Sequence, residues 1–171
     1  AVVSETGVIF ANKVTNDVLT VTATGLFADK NVGTGKTVNV TGISLSGTDA
    51  SNYSLQNTTA SATADISRAS LTVTGTTASN KVYDATTAAT VNGGSVAALG
   101  SDSVTLSGAS ATFANKNVGT AKAVTTSYAL TGNDAANYVL AQPSLSANIT
   151  PKSVTITGFT ASDKTYDATD A

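Results

Sequence analysis

The stretch Leu26–Val38, LFADKNVGTGKTV, decides between two folds. Gly33-Thr34-Gly35-Lys36-Thr37 has the tail of a phosphate-binding loop, which would place it between a strand and a helix of an α/β nucleotide domain. The loop signature needs a further Gly five residues before Gly35, where Lys30 stands, and the residues that follow, TVNVTGISLSG, alternate like a strand. The stretch also recurs as Thr112–Val124, TFANKNVGTAKAV, with Phe27 and Phe113 standing 86 residues apart. The second copy replaces Gly35 by Ala121 and Thr37 by Ala123 but keeps Gly33 as Gly119 and Lys36 as Lys122. A hairpin turn with Gly at positive φ and a Lys flanking a strand accounts for what both copies share. The reading is therefore all-β.

Two further pairs of segments repeat in the same order. GTDASNYSL (Gly47–Leu55) returns as GNDAANYVL (Gly132–Leu140), with Tyr53 and Tyr138 separated by 85 residues. SLTVTGTTASNKVYDATTA (Ser70–Ala88) returns as SVTITGFTASDKTYDATDA (Ser153–Ala171), with Lys81 and Lys164 separated by 83 residues. Spacings that differ by one to three residues are what small loop insertions between duplicated domains produce. The predicted organisation is a tandem of units of about 85 residues in a chain of 171. Residues 1–67 form a partial repeat lacking its first strand segment, residues 68–150 a complete repeat, and residues 151–171 the first strand segment of a further repeat. ISRAS (Ile66–Ser70) and ITPKS (Ile149–Ser153) are the expected joints, where Pro151 suits an edge or linker.

Composition agrees. Charged residues make up 12% and aromatics 5%, while Thr, Ser, Ala, Val, Gly and Asn dominate, which suits thin sandwiches with cores of Val, Leu, Ile and Ala. Six to eight strands per period predict an immunoglobulin-like two-sheet sandwich. Asp49 and Asp134 precede Tyr53 and Tyr138 by four residues, and Leu55 and Leu140 follow each Tyr by two. This pattern fits a tyrosine corner, with the ring packed inward and the hydroxyl bonded to nearby backbone. DATTAAT (Asp84–Thr90) could form a short helical turn.

Several chemistries are excluded. With no Cys and no His, thiolate or imidazole metal sites and Ser-His-Asp or Cys-His nucleophile systems have no ligands or bases, and no enzymatic activity or cofactor is expected. Net charge is -2 and the nine basic residues are dispersed, so no nucleic-acid surface is expected. No apolar run approaches a membrane span and no signal peptide is visible, although a chain opening in mid-pattern says nothing about its parent's location. Asp84, Asp102, Asp163 and Asp167 are the oxygen donors available to calcium, but no DxDxDG loop exists and Asp163 is Asn80 in the other copy. A turn hydrogen bond explains Asp84 and Asp167 equally well. Lys81 with Asp84 or Asn117 has the residue types of an isopeptide crosslink; a lone surface Lys is the simpler reading.

Together, KxYDATT, FA(D/N)KNVGT, GxDAxNYxL and ITPK resemble the YDG-type and related Gly-containing β-repeats of large bacterial exoproteins, including filamentous-haemagglutinin-like adhesins. The resemblance spans essentially the whole chain. It implies a structural stalk or spacer of a secreted or surface-displayed bacterial adhesin of the kind that supports attachment and biofilms, at an extracellular or cell-surface location. It also implies that Tyr83-Asp84 and Tyr166-Asp167 are structural motif residues, and that any host glycan or protein is contacted through other regions. The alternative is a weak glycan- or surface-binding domain. The usual Gly after Tyr-Asp is Ala here, Ala85 and Ala168, and since Ala resists positive φ the turn is expected to be right-handed. Because residues 151–171 carry what residues 1–67 lack, copies of the chain are expected to complete each other head to tail by strand donation.

Overall fold

A computed structural model describes residues 8–170. Among these the fold is all-β, with eleven strands and no α-helix. In chain order the strands are β1 (Thr20–Phe27), β2 (Gly33–Ser46), β3 (Ala60–Ile66), β4 (Ala69–Thr72), β5 (Thr77–Ala78), β6 (Lys81–Val82), β7 (Val91–Asn92), β8 (Thr105–Phe113), β9 (Gly119–Thr131), β10 (Tyr138–Ala141) and β11 (Leu145–Thr150). Thr- and Val-rich alternation sets the faces: in β9, Val124, Thr126 and Tyr128 point inward while the residues between them meet solvent.

The chain divides into two compact units, and β8 and β9 supply residues to both. The first takes residues up to Gly75, Gly94–Gly108 and Tyr128–Pro143. It contains the antiparallel sheet β1-β2-β3 and the parallel pair β10-β4, in which Tyr138 stands opposite Ala69 and Leu140 opposite Leu71. Its buried apolar residues are Val38, Val40, Leu71, Val73, Tyr128 and Tyr138. The second takes Thr76–Gly93, Ala109–Ser127 and the residues from Ser144 onward. There the sheet β6-β11-β9-β8 and the pair β5-β7 enclose Ala111, Phe113, Val124, Ala147 and Ile149, with Tyr83, Ala89 and Val91 packed against them.

The duplicated segments adopt the same local geometry. Asp65 in β3 accepts the Gly35 amide at 2.7 Å, and Asn148 in β11 accepts the Ala121 amide at 2.8 Å. The helical turns lie away from DATTAAT: single 3-10 turns occupy Ala50–Asn52 and Ala135–Asn137, inside the two Tyr motifs. Gly47 and Gly132, which open those motifs, have φ of 115° and 113°, and a Cβ on either would lie 2.3 Å or 2.2 Å from the carbonyl oxygen of Val18 or Ser103. Backbone contact this close is the reason both copies carry Gly there.

Two backbone expectations are corrected. Ala85 and Ala168 are left-handed, with φ of 65° and 62°. Around Ala85 the conformation is fixed from both sides, by Lys81 Nζ donating to Asp84 Oδ1, Thr86 O and Ala88 O, and by the Thr86 amide donating to Asp84. In LFADKNVGTGKTV the positive φ belongs to Gly35 (59°) and its counterpart Ala121 (47°), rather than to Gly33 and Gly119. These residues lie within β2 and β9, at an irregularity in their pairing with β3 and β11 respectively. Gly33 and Gly119 instead make room for a lysine stem, since a Cβ would sit 3.2 Å from Lys36 Cδ or 3.3 Å from Lys122 Cδ.

Candidate functional site

Within the first unit a polar cluster brings the first copy of the duplicated sequence against residues of the second. An Asx turn starts it: Asp29 Oδ1 accepts the Asn31 amide at 2.7 Å, and Lys36 Nζ bonds both Asp29 and, at 2.6 Å, Asn31 O. That turn projects Lys30, whose Nζ pairs with Asp102 and, at 2.9 Å, with Asp134. Next to it Asn137 closes a second bridge, its Oδ1 accepting the Val32 amide at 2.9 Å and its Nδ2 donating to Asn31 Oδ1 at 3.1 Å. Arg68, on the connection between β3 and β4, donates from Nε to Ala136 O at 3.1 Å.

Both acceptor carboxylates are held by their own repeat. Asp102 Oδ2 accepts the Tyr138 hydroxyl at 2.7 Å, and Asp134 Oδ2 accepts the Ser103 amide at 2.9 Å. Lys30 holds both carboxyls below the usual range, helped by Tyr138 at Asp102 and by the Ser103 amide at Asp134. In return the two carboxylates, Asp102 first, push the Lys30 ammonium well above its ordinary value. The Tyr138 hydroxyl is raised chiefly by its bond to Asp102. At ordinary pH Lys30, Asp102 and Asp134 therefore stay ionised and paired with one another.

The two Tyr motifs bond to backbone and to a carboxylate, but the backbone partner lies 39 residues upstream rather than within the local corner the sequence suggests. Tyr53 and Tyr138 hydroxyls accept the amides of Val14 at 2.9 Å and Leu99 at 3.1 Å, while donating to Asp17 at 2.6 Å and Asp102. Asp49, the counterpart of Asp134, accepts the Val18 amide at 2.7 Å. Asp17 thus corresponds to Asp102, an equivalence hidden in sequence because the residues around the two differ. Lys30 and Asn31 also went unread as a site, although Lys116 and Asn117 repeat them.

The remaining candidates are placed as follows. Tyr83 packs against the core of the second unit, whereas its copy Tyr166 is 90% exposed. Asp84 serves its turn, with its carboxyl lowered to about 2 by Lys81 and by Thr86. Asp167 repeats this, accepting the Thr169 amide at 3.0 Å beside Lys164 at 2.8 Å, and its carboxyl is lowered by the same partners. Asp163 is exposed. Among the described residues no three acidic side chains gather as a metal site would need. Lys81 is not a lone surface residue: besides its oxygen acceptors, it lies 5.6 Å from the Phe113 ring centroid. Among the described residues no helix is long and apolar enough to cross a membrane.

A family model described as the YDG domain matches residues 1–61 and 67–145. No curated protein and no solved structure matches the chain.

Proposed function

Because the chain belongs to the YDG domain family, we propose that it is a structural spacer: serial β-sandwich modules of immunoglobulin-like size within a secreted or surface-displayed bacterial adhesin. The observation that carries this is the joint, in which Lys30 and Asn31 of one repeat engage Asp102, Asp134 and Asn137 of the next. Every one of these residues has a counterpart in the other copy, namely Lys116, Asn117, Asp17, Asp49 and Asn52, so the contact belongs to the repeat itself. Lys30, by pairing with two carboxylates of the other copy, favours a stiff connection between successive modules. The resemblance to exported adhesin repeats supports the extracellular or cell-surface location, with host glycans or proteins met through other regions of the parent protein. We assign the module no catalytic activity, because its ionisable groups near the joint are bound to one another.

Tandem arrays of one, two and four periods test this by X-ray scattering and glycan-array binding. A spacer lengthens by a constant increment per period, on the order of the 14-residue β2, about 45 Å at ~3.3 Å per residue. Saturable glycan binding by a single period would instead make it a binding domain.

A further inference from the structure

The partial repeat holds an open apolar cleft of about 490 Å³, lined by Leu19, Val21, Val40, Ile43, Leu45 and Leu55. Along one side runs the segment Tyr53–Gln56, which forms no strand pairing with any described residue. Its counterpart in the complete repeat is β10, which pairs in parallel with β4. Leu71, in β4, and Val73 just after it are thereby buried to 5% and 6% exposure. The chain carries a second version of β4 at its other end, Lys152–Thr155, followed by Ile156. All residues from Pro151 to Asp170 are exposed, with Val154 at 85% and Ile156 at 74%.

We propose that the cleft takes the Lys152–Gly158 segment of a second copy, as a parallel strand added to Tyr53–Gln56. The internal duplication sets the register: Tyr53 opposite Lys152, Ser54 opposite Ser153, Leu55 opposite Val154 and Gln56 opposite Thr155, as in the pairing of β10 with β4. Val154 and Ile156 then enter the cleft as Leu71 and Val73 do in the complete repeat. Farther along, Tyr166 covers Phe27 and Ile66, which are half-buried here although their counterparts Phe113 and Ile149 are 3% and 1% exposed under Tyr83. The same docking brings Lys116 of the donor, exposed and without an ion pair among the described residues, to Asp17 and Asp49 of the acceptor. Exchange of this kind is heterologous and does not close, so it gives head-to-tail fibres. It holds whether or not the chain serves as a spacer.

The chain lacks Cys, so single cysteines report register directly. Ser54→Cys protein mixed with Ser153→Cys protein under mild oxidation should give a disulfide heterodimer at about tenfold the yield obtained with Thr157→Cys as partner. Sedimentation of the wild type should show mass rising with concentration, and Val154→Asp/Ile156→Asp, altered only at exposed positions, should remain monomeric with unchanged circular dichroism. A wild type that stays monomeric at millimolar concentration, or equal crosslinking by the Ser153 and Thr157 variants, would overturn the proposal.

Discussion

Tyr138 donates its hydroxyl to Asp102 at 2.7 Å, and the same carboxylate group receives Lys30 from the other copy of the duplicated sequence. One Asp therefore couples Tyr138 to Lys30 across the two copies of the duplicated sequence. Tyr138→Phe removes the acceptor for the Leu99 amide and one donor to Asp102. A drop of several degrees in Tm is expected from differential scanning calorimetry. Tyr53→Phe should cost less, because Tyr53 is only half-buried and the Val14 amide can turn to water.

Gly132→Ala and Gly47→Ala should each destabilise by about 2 kcal/mol or more, combining a left-handed φ with a Cβ driven onto a backbone carbonyl. Gly35→Ala is the contrast: its Cβ meets nothing within 4 Å and Ala121 already occupies that site in the other copy. A loss of about 1 kcal/mol or less is expected there. Urea titrations of the three variants that ranked Gly35→Ala as the most damaging would contradict this assignment.

Ala85→Gly should stabilise by about 0.5–1 kcal/mol, since release of the left-handed strain on Ala exceeds the added freedom of the unfolded chain. Ala168→Gly has the same local geometry but lies where every residue is exposed, so the Tm of the monomer should not move. Thermal melts of the two variants separate turn strain from a general effect of glycine.

Sequence and structure part company at identifiable places. The strand content is legible in period-two alternation, whereas the amides that the Tyr53 and Tyr138 hydroxyls accept lie 39 residues away and have no local signal. The left-handed Ala85 could not be read, because its φ is imposed by Lys81 reaching acceptors as far as Ala88. Asp17 and Asp102 were missed as partners because each lies 36 residues before its Tyr. Lys30 counts in the sequence only as the residue that breaks a phosphate-loop signature; its position across from Asp102 and Asp134 reveals its use.

Acid should weaken the fold in a defined window. The carboxyls of Asp102, Asp134 and Asp84 all lie below their ordinary value of 3.8, that of Asp84 at about 2. Below about pH 4 the unfolded chain takes up protons that the folded chain still refuses, so stability falls as pH falls. Their contribution is whole above that point and, for Asp84, gone once pH drops through about 2. Tm should be flat from neutrality to about pH 4.5 and then decline. Lys30→Met should flatten the share due to Asp102 and Asp134 while leaving that of Asp84. An identical decline in the variant would show that the joint does not hold those carboxyls.

Arg68 is the single arginine of the chain and sits between β3 and β4, tied to Ala136 O. Cleavage after it by an arginine-specific protease therefore reports opening of the joint. Lys30→Glu places a third negative charge against Asp102 and Asp134, and should raise the cleavage rate about tenfold or more at low salt. In the wild type, added salt screens the exposed Lys30 and should raise the rate as well; in the variant it should lower it, because there it screens repulsion. The opposite salt slopes distinguish an electrostatic joint from a connection that Lys30→Glu has merely unfolded, since an unfolded segment would be cut fast at every ionic strength.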